Sequence, residues 1–250
     1  MDFDSDKDWK AWGKRDPLWA VATWPGKEAG GKDPWTDEAF YAAGAAEWQA
    51  ISKQWTRYGR QPEACVEIGC GAGRLTRRIA ADFQRVEACD ISEAMLDYAR
   101  ARIQQPSIRF HLSRGSSIPL EDRSVTGVFS TFVFQHFDSL DAGRAMFAEA
   151  ARVLSPAGTL FIQLPIHSWP FFARPGLALL HQVRERAEQL YAVVRRRLPL
   201  RPMMRGLSYP ADWFFRALPE LGFTDVELCW FDTGKPGAPW LMSAVLARKL

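Results

Sequence analysis

Three glycines stand at alternate positions where a strand-like run changes into a helix-like run. They are Gly69, Gly71 and Gly73, in the stretch VEIGCGAGRLTRRIA. Glycine adopts positive φ and lets a ligand approach the backbone with no Cβ in the way. A loop that follows a parallel strand and opens a helix also directs N–H groups outward, and nucleotide-like ligands bind at such turns. The pattern therefore predicts a cofactor over residues 69–73.

Acidic residues near this turn indicate which kind of cofactor it holds. The order is E-x-G-x-G-x-G from Glu67, and Arg74 occupies the position where the dinucleotide pattern G-x-G-x-x-G has its last glycine. A carboxylate repels a pyrophosphate, so Glu67 favours a cationic ligand such as a sulfonium with an α-amino group. Asp90 ends the next predicted strand, where a carboxylate can accept hydrogen bonds from both ribose hydroxyls.

An alternation of strands and helices begins at Ala64 and would position these residues. The predicted strands are ACVEIG, RVEACD, SIRFHL, VTGVFSTFVF and GTLFIQLP, separated by helical segments such as RLTRRIAADF, SEAMLDYARARI and SLDAGRAMFAEAARVL. This alternation predicts a parallel sheet with helices on its faces and right-handed crossovers. After Pro165 it breaks, and a helix (ADWFFRALPELGF) and two strands (TDVELCWF and PWLMSAVLARKL) follow later.

With these motifs, the sequence resembles the class I S-adenosylmethionine-dependent methyltransferases of the small-molecule type. VEIGCGAG is similar to the family's first motif and ACDIS to its second, while IPLEDRSVTGVFSTFVFQHF and EAARVLSPAGTLFIQ resemble the segments around strands four and five. The resemblance covers roughly residues 62–165. It implies an α/β fold: a doubly wound, Rossmann-like seven-stranded sheet, mostly parallel, with an antiparallel last strand.

The resemblance also implies the cofactor, S-adenosyl-L-methionine, and the residues that hold it. Thr131 and Phe132 would meet the methionine portion, and Gly115 and Ser116 the adenine end. The full predicted set is Glu67, Gly69, Cys70, Gly71, Gly73, Asp90, Ile91, Met95, Gly115, Ser116, Thr131 and Phe132. The sequence departs from the common pattern at Arg114, where many members carry an acidic residue near the adenine, and at Ser124–Thr126, where many read S-x-D.

Two histidines are candidates for general base in methyl transfer. A hydroxyl nucleophile benefits from losing its proton as it attacks, and histidine transfers protons near neutral pH. His136 follows strand four, and His167 lies just past strand five, both at the end of the sheet where ligands bind. The alternative for His136 is that it lines the pocket or bonds to the backbone without titrating. His111, within strand three, is interpreted as structural.

The chain divides into four predicted parts with different roles. Residues 1–60 hold seven of the eleven tryptophans and resemble a flap over the cofactor, residues 61–165 form the core, residues 166–209 are a helical insert or cap, and residues 210–250 complete the sheet. The insert's apolar stripe could cover the active site or pair with a second subunit as a homodimer. Predicted substrate contacts are Trp19, Tyr41, His136, Trp169, Tyr209 and Trp213. Packing against the sheet is the alternative for the N-terminal aromatics, above all for Trp48 and Trp55.

Composition excludes several other classes of protein. The net charge is only +3, although residues 166–205 carry eight Arg and two Glu, so a dedicated nucleic-acid-binding protein is not indicated. The basic segment could attract a phosphate, a carboxylate or a lipid surface. Four cysteines show no metal or disulfide spacing, so no metal site is predicted. No secretory signal or transmembrane run is visible, which predicts a cytoplasmic protein.

Three functions remain open from the sequence. The first is methylation of a small-molecule hydroxyl in a natural-product, sugar or lipid-like intermediate. The second is N-methylation, or methylation of a macromolecule such as tRNA or a peptide, for which the basic insert is the only support. The third is a member that binds cofactor without turnover, against which Glu67, the glycines and Asp90 argue.

Overall fold

A computed structural model describes residues 5–167, 206–232 and 241–250 of the chain. Strands in these residues are β1 Ala64–Ile68, β2 Arg85–Asp90, β3 Ile108–Leu112, β4 Val125–Ser130, β5 Leu154–Gln163, β6 Ile166–His167, β7 Tyr209–Pro210, β8 Phe223–Phe231 and β9 Met242–Lys249. Helices are α1 Ser5–Arg15, α2 Pro17–Val21, α3 Asp37–Tyr58, α4 Thr76–Asp82, α5 Glu93–Arg102, α6 Leu140–Val153 and α7 Ala211–Glu220. A 3₁₀ turn spans Phe134–His136.

Seven of these strands form one sheet in the order β3-β2-β1-β4-β5-β9-β8. The five strands from β3 to β5 pair in parallel, and β9 pairs antiparallel with both β5 and β8. The last strand of the chain therefore runs against its neighbours, which confirms the predicted fold class. The chain order reverses at β1, whose neighbours are β2 and β4, and in open α/β sheets ligands bind at such a switch point.

Both faces of the sheet are covered, and this explains why the central strands read as continuous apolar runs. All five residues of β1 are buried, as expected for a parallel strand between two helical layers. Helices α3, α4 and α5 contribute to the core on one face, and α6 and α7 contribute to the core on the other.

Helix α3 fixes the N-terminal region on the sheet. The Thr36 hydroxyl accepts a hydrogen bond from the Ala39 N–H, which caps the first turn, and Gly59 ends the helix at a φ of +104°. Trp55 is fully buried and donates from Nε1 to Thr159 Oγ1 at 2.9 Å, while Trp48 is 6% exposed. The interpretation of these two tryptophans as packing residues is confirmed.

The predicted insert is described only at its two ends. Ile166 and His167 pair in parallel with Tyr209 and Pro210. Its predicted amphipathic helix, the basic segment and Trp169 lie outside the described residues. Homodimer formation through residues 166–209 and the four-part division of the chain stay predictions. In the part of the chain that is described, no helix is both long and apolar enough to span a bilayer.

Candidate active site

A cavity of about 320 Å³ lies at the carboxyl ends of β1, β2 and β4. One side, here called the strand-end wall, consists of residues at the ends of β1 and β2 and in the loops after β1, β2, β3 and β4: Glu67, Ile68, Gly69, Cys70, Gly71, Asp90, Ile91, Ser113, Gly115, Thr131, Phe132 and Val133. The opposite side, here called the N-terminal cover, consists of Ser5, Asp6 and Trp9 from α1 together with residues 20–24. Two regions distant in sequence thus enclose one space.

The glycine turn follows β1 and has the backbone geometry that only glycine adopts easily. Gly71 has a φ of +54°, and a Cβ there would lie 2.5 Å from Val21 Cγ2. The N–H groups of Gly69 and Cys70 both donate to the Cys89 carbonyl, at 2.8 and 2.9 Å. These bonds join the turn to the end of β2 and bring Gly71 beside Asp90. The turn leaves no side chain between its own backbone and the cavity at these positions.

Asp90 ends β2 and is held by the backbone around it. Its Oδ2 accepts from the Gly71 N–H at 2.8 Å, and its Oδ1 accepts from the Ser92 N–H at 2.9 Å. Burial raises the pKa of Asp90, while these backbone hydrogen bonds oppose the rise. Each carboxylate oxygen retains a further lone pair, so Asp90 can accept hydrogen bonds from a ligand's hydroxyls without releasing the backbone.

Glu67 is a buried carboxyl group on the same wall. It is 4% exposed and accepts a hydrogen bond from Thr76 Oγ1 at 2.5 Å. Burial raises the pKa of Glu67 to about 7, although the Thr76 hydrogen bond and the charge of Arg74 both act to lower it. A cation bound next to this carboxyl group would therefore stabilise its ionised form.

Most of the predicted cofactor residues come together around this cavity. Ten of the twelve line it: Glu67, Gly69, Cys70, Gly71, Asp90, Ile91, Met95, Gly115, Thr131 and Phe132. Gly73 does not line it and instead supports packing, since a Cβ there would lie 2.4 Å from Ile103 Cδ1 behind the turn. Ser116 does not line it either, and the neighbouring Ser113 does.

Phe132 has a strained backbone at the end of β4. Its φ is +57°, which is rare for a bulky side chain. Its N–H donates to Gln163 Oε1 at 2.8 Å, and Gln163 is itself buried at the end of β5. Such outliers persist where the surrounding structure fixes them and are concentrated at functional sites.

The two candidate histidines lie in different environments. His136 lines the cavity, its ring centroid is 4.7 Å from that of Trp9, and its Nε2 is 3.2 Å from Gln135 Nε2. His167 lies in β6 beside Pro210 and does not line the cavity. The geometry therefore favours His136 over His167 as a residue near the reaction. His111, as interpreted, is bound within the sheet, 2.6 Å from Glu87 Oε2.

Four predicted substrate residues do not line the cavity, and each has a packing role. Trp19 packs on Trp12 with ring centroids 5.1 Å apart. Tyr41 donates to the Ala72 carbonyl at 3.0 Å, behind the glycine turn. Tyr209 is fully buried and donates to the Phe134 carbonyl at 3.1 Å, and Trp213 packs on Tyr209. A buried tyrosine hydroxyl needs a partner, and these two find theirs in the backbone.

Sequence reasoning missed several cavity residues. From the N-terminal cover it did not select Asp6, Trp9 or Val21, because nothing in a turn-rich, aromatic segment shows which rings point inward. Arg74 could have been found, since it follows the glycine turn directly and was noted only as a departure from the dinucleotide pattern. Other lining residues outside the predicted set include Trp24, Ile118, Gln135, Phe137 and Met146.

The residues present fit an adenosyl sulfonium with an amino-acid tail. In the described lining, the carboxyl groups of Asp6, Glu67 and Asp90 face one guanidinium, that of Arg74, which is already paired with Glu47. This balance favours a ligand with positive charge. Within the described residues, no group of three or more His, Cys, Asp or Glu side chains is arranged to hold a metal ion.

Comparison with known proteins agrees with this fit. Residues 66–162 match the model of the methyltransferase domain. The malonyl-[acyl-carrier protein] O-methyltransferase of Hahella chejuensis is 37% identical over 101 residues, which are 40% of this chain and 35% of that protein. The N-demethylindolmycin N-methyltransferase of Streptomyces griseus is 29% identical over 99 residues, 39% of this chain and 42% of that protein. The similarity thus spans less than half the length of these curated relatives.

Solved structures share the fold over more of the chain. A chain from the complex of the Haloferax volcanii methyltransferase activator Trm112 with a methyltransferase aligns with a TM-score of 0.63 at 15% identity, covering 98% of this chain and 97% of that one. The Haemonchus contortus phosphoethanolamine N-methyltransferase 2, solved with S-adenosylhomocysteine, gives 0.57 at 16% identity and covers 86% of this chain and 58% of that one.

The fold and the cavity together define an α/β protein that binds a nucleoside-type cofactor at a topological switch point. Residues 66–162, which carry the strand-end wall, form a methyltransferase domain of the class I S-adenosylmethionine-dependent type. The cofactor of this family is S-adenosyl-L-methionine.

Proposed function

We propose that the protein transfers the methyl group of S-adenosylmethionine to a small-molecule acceptor, at a hydroxyl of a natural-product, sugar or lipid-like intermediate. One observation carries the proposal: Glu67, Asp90 and the glycine turn line the same cavity as Trp9 and His136. The first three are suited to hold the donor, and the last two are suited to hold an acceptor beside it.

Several residues of the strand-end wall are suited to hold the donor. Asp90 would accept hydrogen bonds from the ribose hydroxyls, Ile91 would pack on the adenine, and Glu67 would accept from the α-ammonium group. Thr131 and Phe132, after the end of β4, would contact the methionine portion. Bound S-adenosylmethionine supplies a methyl group already activated on its sulfonium. The protein must then hold the acceptor in line with the S–CH₃ bond. For well-oriented reactants, such positioning lowers the activation free energy by ~7–11 kcal/mol.

The acceptor side is lined mainly by apolar and aromatic groups. Trp9, Trp24 and Phe137 line the cavity together with Ile118 and Met146. Small-molecule pockets commonly combine such walls with a few polar groups, here His136 and Gln135. Enclosure of the cavity by the N-terminal cover supports a small acceptor over a macromolecule.

His136 is the proposed general base. It ends the 3₁₀ turn that follows β4, lines the cavity, and has Trp9 against its ring. A neutral imidazole there would take the proton of the attacking hydroxyl as the methyl group is transferred. The alternative, a histidine that only lines the pocket, predicts that its replacement leaves turnover nearly unchanged.

Methylation of an amine is the second candidate. Asp6 and Trp9, three residues apart on α1, both line the cavity, and a carboxylate together with an aromatic face suits an ammonium group. A curated relative is named an N-methyltransferase. The cytoplasmic location stays a prediction.

The proposal is tested with labelled cofactor. Purified protein is incubated with S-adenosylmethionine carrying a labelled methyl group and with fractionated metabolite extract, alongside separate reactions with tRNA and with protein. The expected result is label in a small molecule whose new bond is to oxygen. Label on nitrogen would support the second candidate, and label confined to RNA or protein would contradict both.

A further inference from the structure

Arg74 is a buried guanidinium on the cavity wall that the proposed mechanism does not use. It follows Gly73 directly and is 3% exposed. Its Nη1 and Nη2 donate to Glu47 Oε2 and Oε1 at 3.0 and 3.1 Å, which is a bidentate ion pair with helix α3. Glu47 is fully buried. Because both ends are out of solvent, this pair fixes the guanidinium rigidly next to the glycine turn.

The bidentate pair leaves part of the guanidinium unused. An arginine side chain has five N–H donors, and the pair with Glu47 engages Nη1 and Nη2. The Nε–H is buried and has no hydrogen-bond partner in the described part of the chain. A buried donor without an acceptor costs free energy, and Arg74 lines the cavity. A ligand with an acceptor oxygen would satisfy it.

Glu67, a second buried charged group, lines the same cavity. It accepts a hydrogen bond from Thr76, two residues after Arg74, and the charge of Arg74 partly offsets the rise that burial causes in the pKa of Glu67. The cavity therefore offers a carboxyl group and a guanidinium, both buried, on the same wall. An α-amino acid offers the complementary pair, an ammonium group and a carboxylate on one carbon. Asp90 lines the same cavity and is the residue proposed to bind the ribose.

We infer that Arg74, held by Glu47, binds the carboxylate of the cofactor's methionyl group through its Nε–H. This inference rests on the proposed function and deepens it, because it assigns the recognition of one chemical group of the donor to one residue. Helix α3 then contributes to recognition of the cofactor's carboxylate, because its Glu47 holds Arg74 in place. Its Gly44 lets the helix approach the turn, since a Cβ there would lie 2.9 Å from the Arg74 carbonyl.

The test compares two ligands that differ only in this carboxylate. Isothermal titration calorimetry measures the affinities of S-adenosylhomocysteine and of decarboxylated S-adenosylhomocysteine, which keeps the amine. We expect the wild-type protein to prefer the first ligand by roughly 10- to 100-fold, as a charge-assisted hydrogen bond would give. We expect Arg74→Met to bind both ligands within about two-fold of each other, since only the carboxylate loses its partner.

Two further variants separate recognition from folding. Arg74→Met leaves the buried Glu47 unpaired, so the double variant E47M/R74M removes both charges and should fold with the same loss of preference. Arg77→Met is the matched control, because Arg77 is an exposed guanidinium on α4 that does not line the cavity, and it should keep the wild-type preference.

The outcomes distinguish this inference from the function on which it rests. A preference for the carboxylate that survives in both Arg74 variants, or is missing from the wild-type protein, would overturn the role of Arg74 while the proposed function stands. Failure of the wild-type protein to bind either ligand would overturn the cofactor site itself, and the inference with it.

Discussion

The two sides of the cavity differ in how they are built. The strand-end wall is set by backbone geometry: the glycine turn, its bonds to the Cys89 carbonyl, and Asp90 accepting from Gly71 and Ser92. The N-terminal cover is set by side-chain packing, with the Trp9 ring against His136 and Val21 against Gly71. The first side can be specified by a short motif, whereas the second depends on which side chains of distant segments meet.

This difference predicts that the two sides of the cavity hold different ligands. A wall fixed by backbone hydrogen bonds suits a ligand that never changes, such as the donor. A cover fixed by packing can change its shape with few substitutions, which suits the acceptor. Variants of the strand-end wall should therefore alter cofactor binding, and variants around Trp9 and His136 should alter turnover with the cofactor affinity unchanged.

The largest expected effect is on turnover, at His136. As general base for a hydroxyl acceptor, it should contribute ~10²–10⁴-fold to kcat, so His136→Gln should lower kcat by that factor. The affinity for S-adenosylhomocysteine should stay within about two-fold, since the Gln side chain replaces the ring outside the strand-end wall. Steady-state kinetics and calorimetry measure the two quantities.

His111→Gln is the matched control for that prediction, because His111 is bound to Glu87 inside the sheet and does not line the cavity. It should keep full kcat in the folded protein. Unchanged turnover in His136→Gln would instead leave His136 as a lining residue and remove the proposed base.

Asp90→Ala should give the next largest effect, on cofactor affinity. The change removes the acceptor for the Gly71 and Ser92 N–H groups as well as for the ribose hydroxyls. We expect roughly 100-fold weaker binding of S-adenosylhomocysteine and a free energy of unfolding lower by about 1–3 kcal/mol. Calorimetry and chemical denaturation measure these, with Asp97→Ala on the exposed side of α5 as control. Wild-type affinity in Asp90→Ala would contradict the assignment of the ribose.

A pair of alanine substitutions tests whether the two sides of the cavity are coupled. Gly71 and Gly115 have nearly the same φ, +54° and +58°, but a Cβ at Gly71 would meet Val21 at 2.5 Å while none of the surrounding atoms lies within 4 Å at Gly115. Both variants carry the backbone strain of positive φ, of about 1–2 kcal/mol. Gly71→Ala carries the contact with the cover in addition.

We therefore expect Gly71→Ala to lower the melting temperature by more than Gly115→Ala does, and V21A/G71A to recover the difference. Thermal denaturation of the four proteins, wild type included, measures this. Equal decreases in melting temperature in the two single variants would show that contact between the N-terminal cover and the glycine turn does not limit the side chain at position 71. The two sides of the cavity would then be independent.

The same contrast explains which parts of the fold and site could be predicted. The sheet could be predicted because strands such as β1 are continuous apolar runs in the sequence. The antiparallel direction of β9 was predicted from the family resemblance. The turn residues and Asp90 were found because a motif fixes their spacing. Tyr41 and Tyr209 were expected at the substrate because aromatic residues are common there, but their hydroxyl groups bond to backbone carbonyls away from the cavity. A sequence does not show the direction of a side chain whose contacts are all nonlocal.

The smallest expected effect is a proton released when the cofactor binds, and it sharpens the role of Glu67. Burial raises the pKa of this carboxyl group to about 7 in the folded protein, from an ordinary value of 4.5. The folded state therefore holds this proton more tightly than the unfolded state does. The stabilisation from this group is fully present below pH 4.5 and is lost as the pH rises through about 7.

A ligand whose ammonium group lies against Glu67 stabilises the ionised carboxylate and therefore lowers the pKa of Glu67 in the complex. Binding of S-adenosylhomocysteine at pH 6.5 should then release a fraction of a proton, and affinity should rise with pH up to about 7. Calorimetry in two buffers with different ionisation enthalpies counts the protons. Glu67→Gln cannot titrate, so its proton release should be smaller by that fraction. Equal release from Glu67→Gln and the wild-type protein would show that the ammonium group binds elsewhere, while the role of Asp90 at the ribose would be unaffected.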